Sequence, residues 1–421
     1  MTLSCFELGE RMLAADEARE AVLSLVAGPL PAENRPLAEL HGRVLAEAIV
    51  SPIDVPRRTN SAMDGIALAW PETGERPVRL RRVAEILAGH PVERPLGPGE
   101  CAGITTGAPL PEGADTVIMR EQLAVEEGAD GRCWVHVERP ERVRHGQNVR
   151  RAGEDLARGR VALAAGTRLG AAELGLLASL GLAEAPVVRR PRVAIFSTGD
   201  EVTAPGETPS DAGIFDANRH SLMGLVIEHG GEVQDLGILP DDRAAIAAAL
   251  DRAAAEADLV VTSGGVSVGD ADFTRDALAE RGELGFWKIA IRPGRPLACG
   301  RLGARGVPFL GLPGNPVAAM VTFLQFAAPL LARLQGRAEA PPRLTAIAEH
   351  DLKSREGRVD YLRGVYRGDP EGRLWVADTG AQGSGILSSM VRANCLIEIA
   401  AARPGVARGE AVSIHPLFRL P

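Results

Sequence analysis

Asp258-Leu259-Val260-Val261-Thr262-Ser263-Gly264-Gly265-Val266-Ser267-Val268-Gly269-Asp270-Ala271-Asp272 is an apolar run that stops in a glycine- and serine-rich loop and ends in carboxylates. Leu259 to Val261 read as a strand buried on both faces, the kind that parallel sheets use. Gly264, Gly265 and Gly269 let the backbone approach a ligand closely, and Ser267 adds a hydroxyl among them. A helix is expected after the loop, so backbone amides and a helix N-terminus would face an anion such as phosphate. Asp270 and Asp272 cannot hold phosphate themselves, but they can hold a Mg²⁺ that bridges phosphates. The same residues also serve a tight turn with no ligand, so the flanking sequence has to decide.

Outward from this loop, strands and helices alternate. Strands are expected at 193–196, 232–239, 259–262 and 286–291, with helices at 221–229, 243–256 and 272–281. Short strands at 297–300 and 308–310 then precede a helix at 316–334. The alternation predicts a mainly parallel sheet with helices on both faces. Ligands of such sheets bind outside the carboxyl ends of the strands. Four loops fall at such ends: Ser197–Glu201, Ser263–Asp272, Arg292-Pro293-Gly294-Arg295-Pro296 and Leu312-Pro313-Gly314-Asn315-Pro316. Arg292 and Arg295 on a proline-stiffened turn predict an oxyanion clamp. Lys288, four residues earlier, would share the strand face of Arg292 and add a point charge.

The remaining sequence has other textures. Residues 11–27 and 37–50 carry apolar positions at helical spacing, stopped by Gly28-Pro29 and Ser51-Pro52. From 53 to 150, β-like runs at 79–83, 116–119 and 133–137 alternate with Pro/Gly turns and predict a small β-rich domain. A helical patch at 171–180 follows. Pro341-Pro342 marks a linker, and 343–421 reads as a compact all-β domain.

Composition excludes several classes. The 421 residues allow about three domains. A net charge of −8 argues against general binding to nucleic acid or to anionic membranes, so any attraction for an anion has to be local. Of 47 basic residues only Lys288 and Lys353 are lysine. Five scattered cysteines without a Cys-x-x-Cys argue against structural zinc or a disulfide framework and fit a reducing cytoplasm. The acidic N-terminal stretch argues against a secretory signal. Residues 306–332 carry no charge, but Pro313-Gly314-Asn315-Pro316 interrupts them, and a buried core helix is expected rather than a membrane span.

Further motifs complete a set: Asn60-Ser61-Ala62-Met63-Asp64-Gly65, Thr106-Gly107-Ala108-Pro109, Gly153-Glu154-Asp155 and Gln382-Gly383-Ser384. With the four loops above, and in this order, they resemble the MoeA family of molybdopterin molybdenumtransferases, related to the C-terminal E domain of gephyrin. The likeness runs from residue 11 to about 399. It implies an α/β multidomain protein with a central parallel α/β, MogA-like molybdopterin-binding domain at 188–337. A β-rich insertion at 51–149, a discontinuous elongated linker domain at 1–50 and 150–187, and a C-terminal β-barrel at 338–421 would complete it. It also implies a homodimer, with the cleft between the α/β domain of one subunit and the β-rich domain of the other.

The implied reaction takes adenylylated molybdopterin and molybdate to molybdenum cofactor and AMP, with Mg²⁺ as cofactor. By the resemblance, Arg292, Arg295, Arg358 and Ser384 form the oxyanion pocket, and Pro296 is substrate-binding. Gly264, Gly265, Ser267, Gly269, Pro313 and Asn315 hold the pterin substrate, and Asp241 and Asp272 hold the metal. Asp64, Thr106, Asp155, Glu201 and Lys288 fall at catalytic positions. Implied partners are the adenylyltransferase that supplies the substrate and the molybdoenzymes that receive the product. Two departures stand out. Arg292 and Arg295 replace lysines common in the family, and Ile66 stands where the family usually has tyrosine. Two rivals remain open: an adenylyltransferase, which the 190–335 core alone would match, and a non-catalytic scaffold.

Overall fold

The computed structural model describes residues 12–90, 94–129, 131–264, 277, 280–337 and 342–417. Gly265, Ser267, Gly269 and Asp272, and most of the helix expected at 272–281, lie outside them.

A seven-stranded sheet organises the chain. Its order is Met12–Leu13, Gly282–Ile289, Pro296–Leu302, Val307–Leu312, Leu259–Ser263, Arg192–Thr198 and Glu232–Leu239. Leu259–Ser263 is buried at every position, between parallel neighbours on both sides. That is why its sequence is continuously apolar until the chain reaches the sheet edge. Burying Val260 and Val261 stabilises the sheet by about 2 kcal/mol each. Pro296–Leu302 alone runs antiparallel to both its neighbours, so the sheet is mainly parallel rather than wholly so.

Helices Ala217–Glu228 and Arg243–Glu256 begin at Asp216 and Asp242, whose carboxylates accept from the amides of Arg219 and Ala245. The uncharged stretch forms a helix over Pro316–Leu334, mostly buried, with one π-turn at Phe323–Ala327.

The N-terminal segment departs from expectation. Met12–Leu13 pairs with Gly282–Ile289, and the helix is confined to Ala15–Leu23. Leu13, Ala18, Val22 and Leu25 share a core with the large sheet, so residues 12–27 pack on the α/β unit. The helix expected at 37–50 is also absent, apart from one 3₁₀ turn at Leu37–Glu39. That segment pairs instead with 160–188, as in Leu45 with Val187 and Ile49–Val50 with Val161–Leu163. Pairing across the chain outweighs a modest helical period.

Between these two segments the β-rich unit forms a six-stranded sheet: Thr116–Met119, Gly65–Leu68, Glu100–Ile104, Arg79–Ile86, Cys133–Val137 and Leu123–Glu127. Gly65 is required here, because a Cβ would overlap the carbonyl of Ile118 on the adjacent strand. Ile66 is buried in this unit's core.

The C-terminal unit is a closed five-stranded barrel: Val359–Gly368, Leu374–Asp378, Leu344–Ala348, Ala411–Pro416 and Cys395–Ile399, which returns to Val359–Gly368. The short strand Ile291–Arg292 pairs with Val359–Gly368 and ties the barrel to the α/β unit. Tyr361 and Leu396 of the barrel enter the core of the large sheet.

Candidate active site at the sheet edge

The parallel strands deliver four loops to one edge of the sheet. Gly264 follows Leu259–Ser263, and its amide donates to the Leu312 carbonyl at 3.2 Å. Asn218, in the first turn of its helix, donates to Ser263 Oγ at 2.7 Å and to the Gly314 carbonyl at 2.6 Å. One side chain therefore joins the phosphate-loop strand to the Pro313–Asn315 turn. Pro313 is buried, whereas Asn315 is exposed at the start of helix Pro316–Thr322.

A buried network sets Asn218 in place. Asp216 accepts from Ser197 Oγ at 3.0 Å and from Arg219 Nε at 2.7 Å, and Arg219 also reaches Asp235 at 2.5 Å. The 215–219 segment was not singled out in the sequence. Its one signal is Asp216, a helix-capping residue immediately after a strand.

Three carboxylates gather at the ends of Arg192–Thr198 and Glu232–Leu239. The Asp241 amide donates to Asp200 Oδ1 at 3.4 Å. Partial burial pushes the Asp241 carboxyl above the ordinary aspartate value, and the charges of Asp200 and Glu201 push it the same way. Among the described residues, no group of three or more His, Cys, Asp or Glu could hold a metal unaided.

The Pro-Gly turn carries the basic residues, though not as the spacing predicts. The strand holding Lys288 ends at Ile289, and Ile291–Arg292 belongs to a separate ladder. Even spacing therefore does not put Lys288 and Arg292 on one strand face. Lys288 is exposed, in register with Pro296. Arg292 is not a free cation, because its Nη1 pairs with the buried Asp360 at 3.0 Å. Arg295 is exposed and Arg358 half-buried, and neither side chain has a hydrogen-bond or ion-pair partner among the described residues. Gly294 adopts φ 107°, and a Cβ there would overlap Thr322 Oγ1. Only glycine lets the turn sit this close to the helix.

The barrel supplies Arg358, which precedes Val359, itself paired with Ile291. It also supplies Ser384, whose carbonyl accepts from the Val317 amide at 3.0 Å. Arg363, fully buried, donates to Ser389 Oγ and to the Gly383 carbonyl. Its own amide and carbonyl bond the Gln382 side chain. Burial pulls Arg363 down to about 10. A cavity of about 450 Å³ lies between this strand and the Pro-Gly turn, lined by Arg292, Pro293, Lys353, Asp360, Arg363 and Gln382 among others.

Asp64 and Thr106 meet each other rather than the sheet edge. Asp64 Oδ1 accepts from the Thr106 amide at 2.6 Å and from its hydroxyl at 2.8 Å. These bonds, the amide first, hold the Asp64 carboxyl below its ordinary value. Asp155 is exposed at the neck of the β-rich unit, where its amide donates to the Val55 carbonyl. Among the described residues, no hydrogen bond links Asp64, Thr106 or Asp155 to the sheet-edge loops.

A mainly parallel sheet with anion-suited loops at one edge, completed by residues from a barrel, defines a multidomain α/β protein whose sheet edge suits an anionic ligand. Comparison with known proteins narrows the class. Residues 13–181 match the MoeA N-terminal region (domains I and II), 194–333 a probable molybdopterin-binding domain, and 345–417 the MoeA C-terminal region (domain IV). The chain is 42% identical over 411 residues to the molybdopterin molybdenumtransferase of Haemophilus influenzae, covering 97% of this chain and all of that protein. It is 35% identical to the enzyme of the same name from a Nostoc species, covering 90% and 87% of the two chains. The crystal structure of the molybdopterin biosynthesis moeA protein from Pyrococcus horikoshii OT3 superposes with a TM-score of 0.82 at 31% identity, covering 97% of this chain and 100% of that one. This chain belongs to the MoeA family of molybdopterin molybdenumtransferases, which acts in molybdenum cofactor biosynthesis.

Proposed function

We infer that this chain inserts molybdate into adenylylated molybdopterin and releases AMP in a Mg²⁺-dependent step. One observation carries the reading. The loops at 197–201, 239–241, 263–264, 290–296 and 312–316 share a sheet edge, and Arg358 and Ser384 reach it from the barrel.

Molybdate is a tetrahedral dianion, and a site for it needs fixed donors of positive charge. Arg295 and Arg358, unpaired among the described residues, supply charge. Arg292, Pro296 and Ser384 flank them. Gly264, Pro313 and Asn315 line the approach of the pterin phosphate, where backbone comes close without a side chain between. Lys288 is assigned the task of offsetting charge on the cleaved phosphate.

The Mg²⁺ reading rests on the donor set. Asp241 with Asp200 and Glu201 offers the hard oxygen ligands that Mg²⁺ prefers, and their mutual repulsion is relieved by a divalent cation. Mg²⁺ is typically held by one or two carboxylates plus substrate phosphates, which suits a site the protein does not complete alone. Bound there, it would neutralise the pyrophosphate. Asp272 is assigned the second carboxylate on the motif alone.

Asp64 and Thr106 need a surface to act on, and the sheet edge of a second copy is the one assigned here. The proposal therefore includes a homodimer.

Two incubations decide between insertion and adenylylation. One supplies molybdopterin with ATP and Mg²⁺; the other supplies adenylylated molybdopterin with molybdate and Mg²⁺. Turnover with AMP release in the second alone is expected. Turnover in the first alone overturns the assignment.

A further inference from the structure

The mechanism above gives no task to Asp360. It is 1% exposed, yet only one of its oxygens is satisfied. Oδ2 accepts from Arg292 Nη1 at 3.0 Å and from Ser354 Oγ at 2.7 Å. Oδ1 is buried without a partner. A buried carboxylate is costly unless it is paired and fully hydrogen-bonded. A carboxylate kept only for stability would take the guanidinium through both oxygens, the stronger bidentate arrangement.

Here the contact uses one guanidinium nitrogen. Nε and Nη2 of Arg292 make no hydrogen bond among the described residues, and the side chain stays about one-third exposed. Arg292 is thus held through one nitrogen, and it lines the same cavity as Asp360. Among the three arginines assigned to the oxyanion pocket, Arg292 alone is paired, since Arg295 and Arg358 have no hydrogen-bond or ion-pair partner among the described residues.

We propose that Asp360 is a positioning residue of the oxyanion site, reaching from the barrel to fix Arg292 through one nitrogen so that its other N–H groups meet a tetrahedral oxyanion. Fixing the fork removes its rotational freedom before the ligand arrives. Neutralising it leaves Arg295 and Arg358 as the uncompensated guanidiniums for a dianion. Ser354 holds the carboxylate in turn. The proposal rests on the assignment of Arg292 to the oxyanion pocket, and the test separates the two ideas.

The rate of molybdenum insertion is measured against molybdate concentration for Asp360→Asn, Arg292→Ala and the double variant, with thermal unfolding followed in parallel. For Asp360→Asn, half-saturating molybdate is expected to rise about tenfold with maximal turnover within about twofold, the loss of one oriented charge-assisted contact. In the Arg292→Ala background the Asp360 substitution adds nothing further. An additive effect in that background, or a lower unfolding temperature with unchanged molybdate dependence, overturns the positioning role. Unchanged molybdate dependence in Arg292→Ala alone overturns the pocket assignment instead. Should Asp360→Asn not fold, Ser354→Ala carries the test, with an expected rise of about threefold that vanishes in the Arg292→Ala background. A Ser354→Ala variant with wild-type molybdate dependence overturns the role.

Discussion

Asp216 and Asp64 are both carboxylates that fix a neighbouring loop, and the chain surrounds them in opposite ways. Asp216 is 3% exposed and shares Ser197 and Arg219 in a network beneath the sheet edge. Asp64 is exposed, and its carboxylate is bonded to Thr106 alone among the described residues. Around Asp216, strand order, helix caps and Asn218 together define the loops, so the edge is organised within one chain. Around Asp64 the carboxylate is fixed by Thr106 alone among the described residues, and by the proposal above what the pair acts on comes from a second copy. On that proposal the sheet edge is a prepared binding surface, and the Asp64 turn is a prepared tool without its workpiece.

The largest effect tests whether the edge is that rigid. Gly294→Val places a β-branched side chain at φ 107° against Thr322. Strain and overpacking together predict a loss of about 4 kcal/mol from the α/β unit, read by denaturant unfolding. A loss under about 1 kcal/mol would mean that the turn swings freely and is not preorganised.

Next comes charge. Arg295→Ala removes an exposed, unpaired guanidinium and is expected to raise half-saturating molybdate about thirtyfold, without changing the oligomeric state seen by light scattering. Unchanged molybdate dependence removes Arg295 from the pocket. Asn218→Ala breaks both bonds that join Ser263 to Gly314. It is expected to cost about 1–2 kcal/mol of stability and to raise hydrogen exchange at the Gly264 amide. If Gly264 protection is unchanged, the two loops do not depend on this side chain.

The same contrast explains how much the sequence discloses. The parallel sheet was legible because buried strands such as Leu259–Ser263 are apolar on both faces and alternate with stretches of helical pattern. The sheet-edge loops were legible because glycine and proline mark strand ends. What stayed hidden depends on distant pairing. Nothing local to Leu37–Val50 announces its partners near 160–188, and nothing in Met12–Leu13 announces an edge strand of the large sheet. Arg292 read as a free cation because Asp360 stands 68 residues away. The break at Ala290 is likewise imposed by the barrel strand that captures Ile291. The motif residues Asp64, Thr106 and Ser384 were found by resemblance. Their spacing alone carries no chemistry, and the fold supplies the geometry.

Asp241 gives a pH test of the acidic end of the edge. Its carboxyl lies above the ordinary value, so the protonated form is favoured in the folded chain. Its contribution to stability is present below the unfolded pKa and is lost as pH rises through the raised folded value. On the proposed Mg²⁺ site, the metal would compete with that proton. Carboxyl titration by NMR should therefore move to lower pH when Mg²⁺ is added, and Asp241→Asn should remove the titrating signal. A titration indifferent to Mg²⁺ would leave the edge without its metal.

Thr106→Val makes the smallest expected change and probes the other half of the comparison. Asp64 is held below the ordinary aspartate value by the Thr106 amide first and its hydroxyl second. The substitution removes only the hydroxyl, so the Asp64 pKa should rise part of the way back. The sign is opposite to that of Asp241. The depressed group contributes stability above its unfolded pKa, lost as pH falls through the folded value. Because Asp64 is fully solvated, global unfolding should hardly move, while the Asp64 side-chain titration does. An unshifted titration would mean that the amide alone orients the carboxylate. A large loss of global stability would mean that the turn is tied into the fold as firmly as Asp216, and the distinction between prepared surface and prepared tool would fail.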